Sequence, residues 1–357
     1  MPFLQDGFCR SARQIAGVFF LAAGLSVLSG CALVIPQTEE LRTAWPAQLP
    51  ERVEITDVPF FPQDEFQCGP AALATSLAHF KVPVKPDDLV AKVYLPARQG
   101  SLQVEMLAAT RTFGLVSYKL APRFEDMLRE IAAGTPVIVL QDYGVWPVSL
   151  WHYAVVVGFD RDKGELLLRS GVKERLVIPF PVFEYTWKES DYWAMVTMPP
   201  GRVPATATES PYLEAIVAME RVGPPDAARS AYGAFLGRWP DNLTASVGLA
   251  NRHYAAGDLA GAEAALRRAA ARHPEAVVLV NNLAQTLSDQ GRDEEALALI
   301  EPVFSRAGAF AAEVRDTRTN ILKRLGRAPL ELKGSTAISA PRGAGGADGA
   351  GGGKTSN

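Results

Sequence analysis

VPFFPQDEFQCGPAALATSL, Val58 to Leu77, decides how the first half of this chain folds. Cys68-Gly69-Pro70 opens a helical run expected over Gly69 to Phe80. Proline in a first helical turn forfeits no hydrogen bond, and Gly69 lets the backbone turn tightly beside the thiol. The sulfur of Cys68 then falls at a helix N-terminus, where the partial positive charge favours thiolate, the form in which cysteine attacks. A buried structural cysteine is the plainer reading of a lone thiol. The neighbours argue for chemistry. Gln63, on an extended, proline-flanked stretch, is placed to turn an amide N–H toward a developing oxyanion, with a backbone N–H near Cys68 as second donor. Gln67 rivals it, but adjacency to Cys68 points that side chain elsewhere.

A base for the thiol is sought among four histidines. His79 sits late on the Cys68 helix, and His253 and His273 belong to a different region. His152 begins HYAVVVGFD, the most strand-like run in the chain, and is the expected general base. Further strands are expected at Leu115 to Leu120, Pro136 to Gln141, Glu165 to Arg169, Arg175 to Ile178 and Tyr192 to Met198. Helices early and strands late give an α+β domain, helices packed on one antiparallel sheet, over residues 53–200.

The pattern Gln-x4-CGPAAL followed by HYAVVVGFD resembles the bacteriocin-processing, double-glycine-leader group of papain-like cysteine peptidases. The resemblance implies Cys68 as nucleophile, His152 as base, Gln63 in the oxyanion hole, and an Asp or Asn on the next strand to orient the imidazole. That last residue is missing: the sequence reads LLLRSG, with Ser170 and Gly171 in its place. Ser170 through its hydroxyl, Asp160 or Asp162 from the turn, or an unaided dyad are the alternatives. Nothing resembling the ATP-binding or multi-span transporter segments of that group is present, so its exporter role does not carry over. Hydrolysis of a peptide or protein substrate is expected first, a peptidase-like domain that binds without cutting second, and transfer of the acyl group to an amine third.

Upstream, Arg10 and Arg13 precede the apolar run Ile15 to Leu28, too short and too rich in small residues to span a membrane comfortably. It ends in Leu28-Ser29-Gly30-Cys31, which resembles the lipobox of bacterial lipoproteins. Residues 1–30 are then a signal peptide, Cys31 the lipidated residue and membrane anchor, and 31–52 a tether rich in Pro, Gln and Thr. In such lipoproteins Asp after the cysteine marks inner-membrane retention; Ala32 implies the outer membrane, facing the periplasm.

Downstream, residues 201–210 read as a linker. Beyond them the chain matches itself at an offset of 34: Pro240 on Pro274, Leu249 on Leu283, and Gly223, Gly257 and Gly291 in line. This is the tetratricopeptide period, giving all-α repeats and a capping helix over 211–325 that offer a surface to a protein partner. The Gly-rich tail, 326–357, cannot bury enough apolar surface to fold.

Composition limits the remainder. At 357 residues and 48% hydrophobic the chain is globular, and 36 basic against 39 acidic residues leave no footprint for nucleic acid. No cluster of His, Cys and carboxylates suggests a metal, and no Gly-rich loop after a strand suggests a nucleotide cofactor.

Overall fold

A computed structural model describes residues 35–63, 67–145 and 147–328. The signal peptide, Cys31 and the tail beyond residue 328 lie outside them. The described residues form two compact units, one running to Leu279 and one starting at Val280.

The first unit is built on a sheet of seven strands: β1 (Arg52–Glu54), β4 (Val116–Lys119), β5 (Val137–Asp142), β6 (Trp151–Asp160), β7 (Glu165–Ser170), β8 (Lys173–Pro179) and β9 (Ala194–Met198). Their order is β4-β9-β5-β6-β7-β8, with β1 pairing β6, and every pairing is antiparallel. A short ribbon of β2 (Tyr94–Leu95) and β3 (Gly100–Ser101) stands apart. Central strands covered on both faces read as unbroken apolar runs, which is why VIVL of β5 and YAVVV of β6 show no polar alternation.

Helices cover both faces. α2 (Cys68–His79), with α3 (Pro86–Val93) and α4 (Gln103–Thr112) beside it, lies on one face, where the Ser76 and Thr197 hydroxyls share a 2.8 Å hydrogen bond. α5 (Phe124–Ala132) and α6 (Phe180–Trp187) lie on the other, where Gln141 Nε2 donates to Thr186 Oγ1 at 2.7 Å. Phe124 packs there against Phe180, Phe183 and Trp187.

Two expectations about connecting segments are corrected. The expected tether is folded from Pro36 onward: α1 (Pro36–Thr43) buries Leu41, and Leu49 and β1 follow it into the domain. Ile35 precedes that helix and offers no side-chain cap. The fully buried Glu184 of α6 supplies one instead, accepting the N–H groups of Gln37 (2.9 Å) and Thr38 (2.6 Å). Composition signals a local preference, whereas this cap comes from a residue more than 140 positions away.

The expected linker is held as well. Buried Glu130 of α5 accepts the Ala205 N–H at 3.2 Å and both the N–H and the hydroxyl of Thr206 at 2.7 Å. Helix α7 (Glu209–Glu220) then lays Tyr212 against Tyr118 of β4, ring centroids 5.7 Å apart, and shares one apolar core with the sheet. The first compact unit therefore does not end at residue 200. It continues through α8 (Pro225–Arg238), α9 (Leu243–Ala255) and α10 (Leu259–Arg272).

Helix starts at 209, 243 and 277, and again at 225, 259 and 293, repeat the 34-residue offset. Gly257 and Gly291 occupy positive φ, +75° and +79°, as their turns require. Gly223 serves a different end, because a Cβ there would meet the Arg111 carbonyl at 3.0 Å; the first repeat turn abuts α4. In the second unit, α11 (Val277–Asp289), α12 (Asp293–Phe304) and α13 (Ala311–Arg324) are tied by Arg324 to Ser288 and Asp289 and by Arg318 to Glu301. Among the described residues no helix is long and apolar enough to cross a membrane.

Candidate active site

Cys68 is the first residue of α2 and is half-buried. Its sulfur accepts the backbone N–H of Tyr153, and of Gly69 and Cys68 at the helix head. The Tyr153 contact fixes the thiol's position relative to the sheet. Tyr153 pairs with Leu140, whose N–H and C=O are both spent on the Trp193 and Ser190 side. The pair is thus of the non-hydrogen-bonded kind, and the Tyr153 N–H points away from β5, toward the edge of β6 beyond the end of β7. The sulfur occupies that edge, at the residue next to His152.

His152 points to the α6 face, opposite the face α2 covers, as the register with Gln141 requires. No hydrogen bond joins imidazole and thiol among the described residues. Such contacts are often long in a free enzyme and close when substrate binds. His152 Nε2 lies 2.9 Å from Ser170 Oγ. Tyr143 stacks on the imidazole, centroids 5.2 Å apart at 27°. Its hydroxyl donates to Gln141 Oε1 at 3.0 Å and is hydrogen-bonded to Ser170.

His152 Nε2 and Ser170 Oγ share one hydrogen bond whose donor depends on the imidazole tautomer, which leaves Nδ1 as the ring nitrogen that Ser170 does not engage. The chain runs on from the Gln141 amide to Thr186, whose hydroxyl ends on the Phe183 carbonyl at 2.9 Å. No member of it is a carboxylate. Asp160 and Asp162, entertained above, are at the far end of β6, about 26 Å along the strand for eight residues at ~3.3 Å each; Asp160 takes the Lys163 N–H there.

Electrostatics follow from burial. Desolvation lowers the His152 pKa to about 4, so the ring is neutral at neutral pH. Burial also raises the Cys68 thiol, outweighing the backbone N–H groups that pull it down. The expectation that the helix terminus favours thiolate is therefore reversed on balance: the terminus acts in that direction, but the site is dry. Burial likewise holds the Tyr143 phenol up against the opposing Ser170 hydrogen bond.

Gln63 is tied by its N–H to the Gly171 carbonyl at 3.2 Å, in the turn just after Ser170. With Phe61, Gln67, Ala71 and Lys85 it lines a cavity of about 220 Å³ at the head of α2. Neither glutamine side chain is hydrogen-bonded among the described residues. His79 bonds the Gly134 carbonyl and His253 bonds Asp258, so neither belongs to this site. Sequence reading missed Tyr143 and Gln141. The signal was available once β5 and β6 are taken as a hairpin, because pairing Gln141 with His152 puts Tyr143 on the same face. Among the described residues no group of three or more His, Cys, Asp or Glu side chains could hold a metal ion.

The sequence over residues 55–192 matches the profile of the Peptidase_C39 like family. Those residues form a C39-like peptidase domain. A tetratricopeptide repeat profile matches residues 253–321. Among solved structures, the C39-like domain is similar to a C39-like peptidase from Bacillus anthracis, at 17% identity and a TM-score of 0.36, covering 42% of this chain and 98% of that one. It is also similar to the peptidase domain of Streptococcus ComA, a bifunctional ABC transporter of a quorum-sensing pathway, at 19% identity and a TM-score of 0.33, covering 40% and 98%. The MamA protein gives 18% identity and a TM-score of 0.27 over 33% of this chain and 70% of its own. A comparison with curated proteins gives no match.

Proposed function

We propose that the chain is a lipid-anchored thiol peptidase of the cell envelope, with its repeats holding a protein partner or substrate. The observation that carries this reading is His152, held by Ser170 through Nε2 at 2.9 Å, beside a residue whose N–H meets the Cys68 sulfur. As sulfur attacks the scissile carbonyl, its proton passes to Nδ1. The oxyanion is met by Gln63 and a backbone N–H at the head of α2. The imidazolium then gives its proton to the leaving amine, and water, deprotonated by the same nitrogen, opens the thioester and restores the thiol. With both groups neutral at rest, His152 acts as a general base in the attack rather than as half of a standing ion pair. Ser170 positions the ring. Cys31 carries the lipid, and the protein faces the periplasm from the outer membrane; Cys31→Ser releasing it from the membrane fraction tests that part.

A second reading, a peptide-binding domain that does not cut, is favoured by the absence of a carboxylate from the His152 chain. A thiol-directed acylating probe separates the two. The peptidase reading expects labelling of Cys68 that disappears in His152→Ala, while iodoacetamide still alkylates the unfolded variant. Wild-type protein that resists the acylating probe yet binds peptides would establish the second reading.

A further inference from the structure

Ser170 has neighbours that hold other parts of the site. Where it takes His152 at Nε2, the next residue, Gly171, accepts the Gln63 N–H on its carbonyl at 3.2 Å. The residue before it, Arg169, is only 7% exposed and reaches two further carbonyls. Its Nη1 donates to Glu174 at 2.7 Å, and its Nε donates to Val58 at 3.4 Å. The first bond closes the β7–β8 turn, in which Ser170 pairs with Lys173 and Gly171 stands at a φ of +59°. The second grips the start of the segment that ends in Gln63. One guanidinium therefore holds both the turn whose carbonyl fixes Gln63 and the stretch that delivers it.

That stretch has little slack. Pro59 and Pro62 each fix a φ between Val58 and Gln63, and Phe61 packs on the apolar core. A shift at either anchor is thus passed on to Gln63. Burying a guanidinium for this purpose is costly, because a cation out of water needs a carboxylate or ample acceptors around it. Among the described residues no carboxylate pairs with Arg169. Glu54, whose carboxyl is held below the usual range chiefly by its hydrogen bond to Arg175, senses the Arg169 charge but is bound to Arg175 at 2.8 and 3.1 Å. Apolar packing would fasten a surface turn at lower cost. What the guanidinium adds is a rigid fork that addresses two backbone carbonyls at once.

We infer that Arg169 is a positioning residue of the reaction: it sets where Gln63 meets the oxyanion, as Ser170 sets the imidazole. The inference rests on the peptidase reading and deepens it. Base and oxyanion donor are then registered against each other by three consecutive residues, Arg169, Ser170 and Gly171.

The test compares two reagents on the full chain. An acylating probe passes through an oxyanion, whereas iodoacetamide alkylates the same sulfur without forming one. Arg169→Met should slow acylation of Cys68 about tenfold or more and leave alkylation within about twofold of the wild type, since a misplaced donor is felt only where the oxyanion develops. Arg169→Lys keeps the charge but reaches one carbonyl at a time, so its acylation rate should fall between the two. It carries the test if the methionine variant does not fold. In a Gln63→Ala background Arg169→Met should cost nothing further, while in a Ser170→Ala background it should repeat its loss. Equal slowing of both reagents would make Arg169 a structural fastener. That result, acylation at the wild-type rate, or a loss that adds in full to Gln63→Ala would each overturn the assignment and leave the peptidase reading standing. A wild type that iodoacetamide alkylates but the acylating probe does not label strikes the peptidase reading itself, and the positioning role falls with it.

Discussion

Two buried carboxylates fasten the ends of the C39-like domain, whereas the hydrogen-bond chain behind its imidazole holds none. Glu184 takes the N–H groups at the head of α1, and Glu130 takes those of the segment leading to the repeats. A buried carboxylate is tolerated where backbone donors surround it, since each donor offsets part of the desolvation cost. At His152 the corresponding place is filled by neutral hydroxyls and an amide, so nothing offsets burial of the charged ring and its pKa falls to about 4. The chain thus spends its buried charge on joints and keeps the site neutral. That contrast separates a structural use of charge from a chemical one, and it can be broken at either end.

The largest effect belongs to a joint. Glu130→Ala strands three donors, the N–H groups of Ala205 and Thr206 and the Thr206 hydroxyl, beneath a core shared by sheet and α7. A loss of about 3 kcal/mol is expected, since stranded buried donors cost about 1–3 kcal/mol each and relaxation recovers some of it. Chemical denaturation reads this directly, and proteolysis within 199–208 should become faster. A variant as stable as the wild type would mean the joint is held by apolar packing alone.

At the site the comparison is sharpened by moving charge in. Ser170→Ala removes the hydroxyl that holds Nε2 in place and should lower kcat/KM about 10- to 100-fold, the rate equivalent of ~1.5–3 kcal/mol. Ser170→Asp restores a carboxylate against Nε2 and should raise the His152 pKa by about 1–3 units. The acid limb of Cys68 labelling, expected near pH 4 in the wild type, would move toward neutrality in this variant. An unmoved limb would show that Ser170 does not govern the ring.

How far such features were legible in the sequence depends on their range. The strands lay where apolar runs put them, β6 opening one residue before His152 and β7 closing on Ser170, because covered central strands need near-continuous hydrophobicity. The helix pairs followed from a period, and Cys68 from a motif at a helix start. Ser170 was visible as an occupant of the right place, without its partners. What stayed hidden is what distant residues decide. Nothing in PQTEELRT announces a helix until Glu184 is brought to its head, and nothing in PATAT announces order until Glu130 reaches it. Tyr143 belongs to the same class: its role exists only through the hairpin register.

The smallest effect tests the neutral site as a source of stability. His152 titrates near 6.5 in the unfolded chain and at about 4 in the fold, so between those values the unfolded state binds more protons. Its contribution is whole above pH 6.5 and is lost as pH falls toward 4. Because the ring is only partly shielded, about 1–2 kcal/mol is expected rather than the full value of the shift. Glu130 works against it, its pKa raised by burial, so that its contribution is present at low pH and declines as pH rises. Stability of the wild type alone would mix the two. The difference between wild type and His152→Gln isolates the imidazole: the two should converge as pH drops from 6.5 to 4 and run parallel above it. A difference that stays constant through that window would mean His152 is not buried as a neutral ring, and with that the general-base account of the thiol's activation would fail.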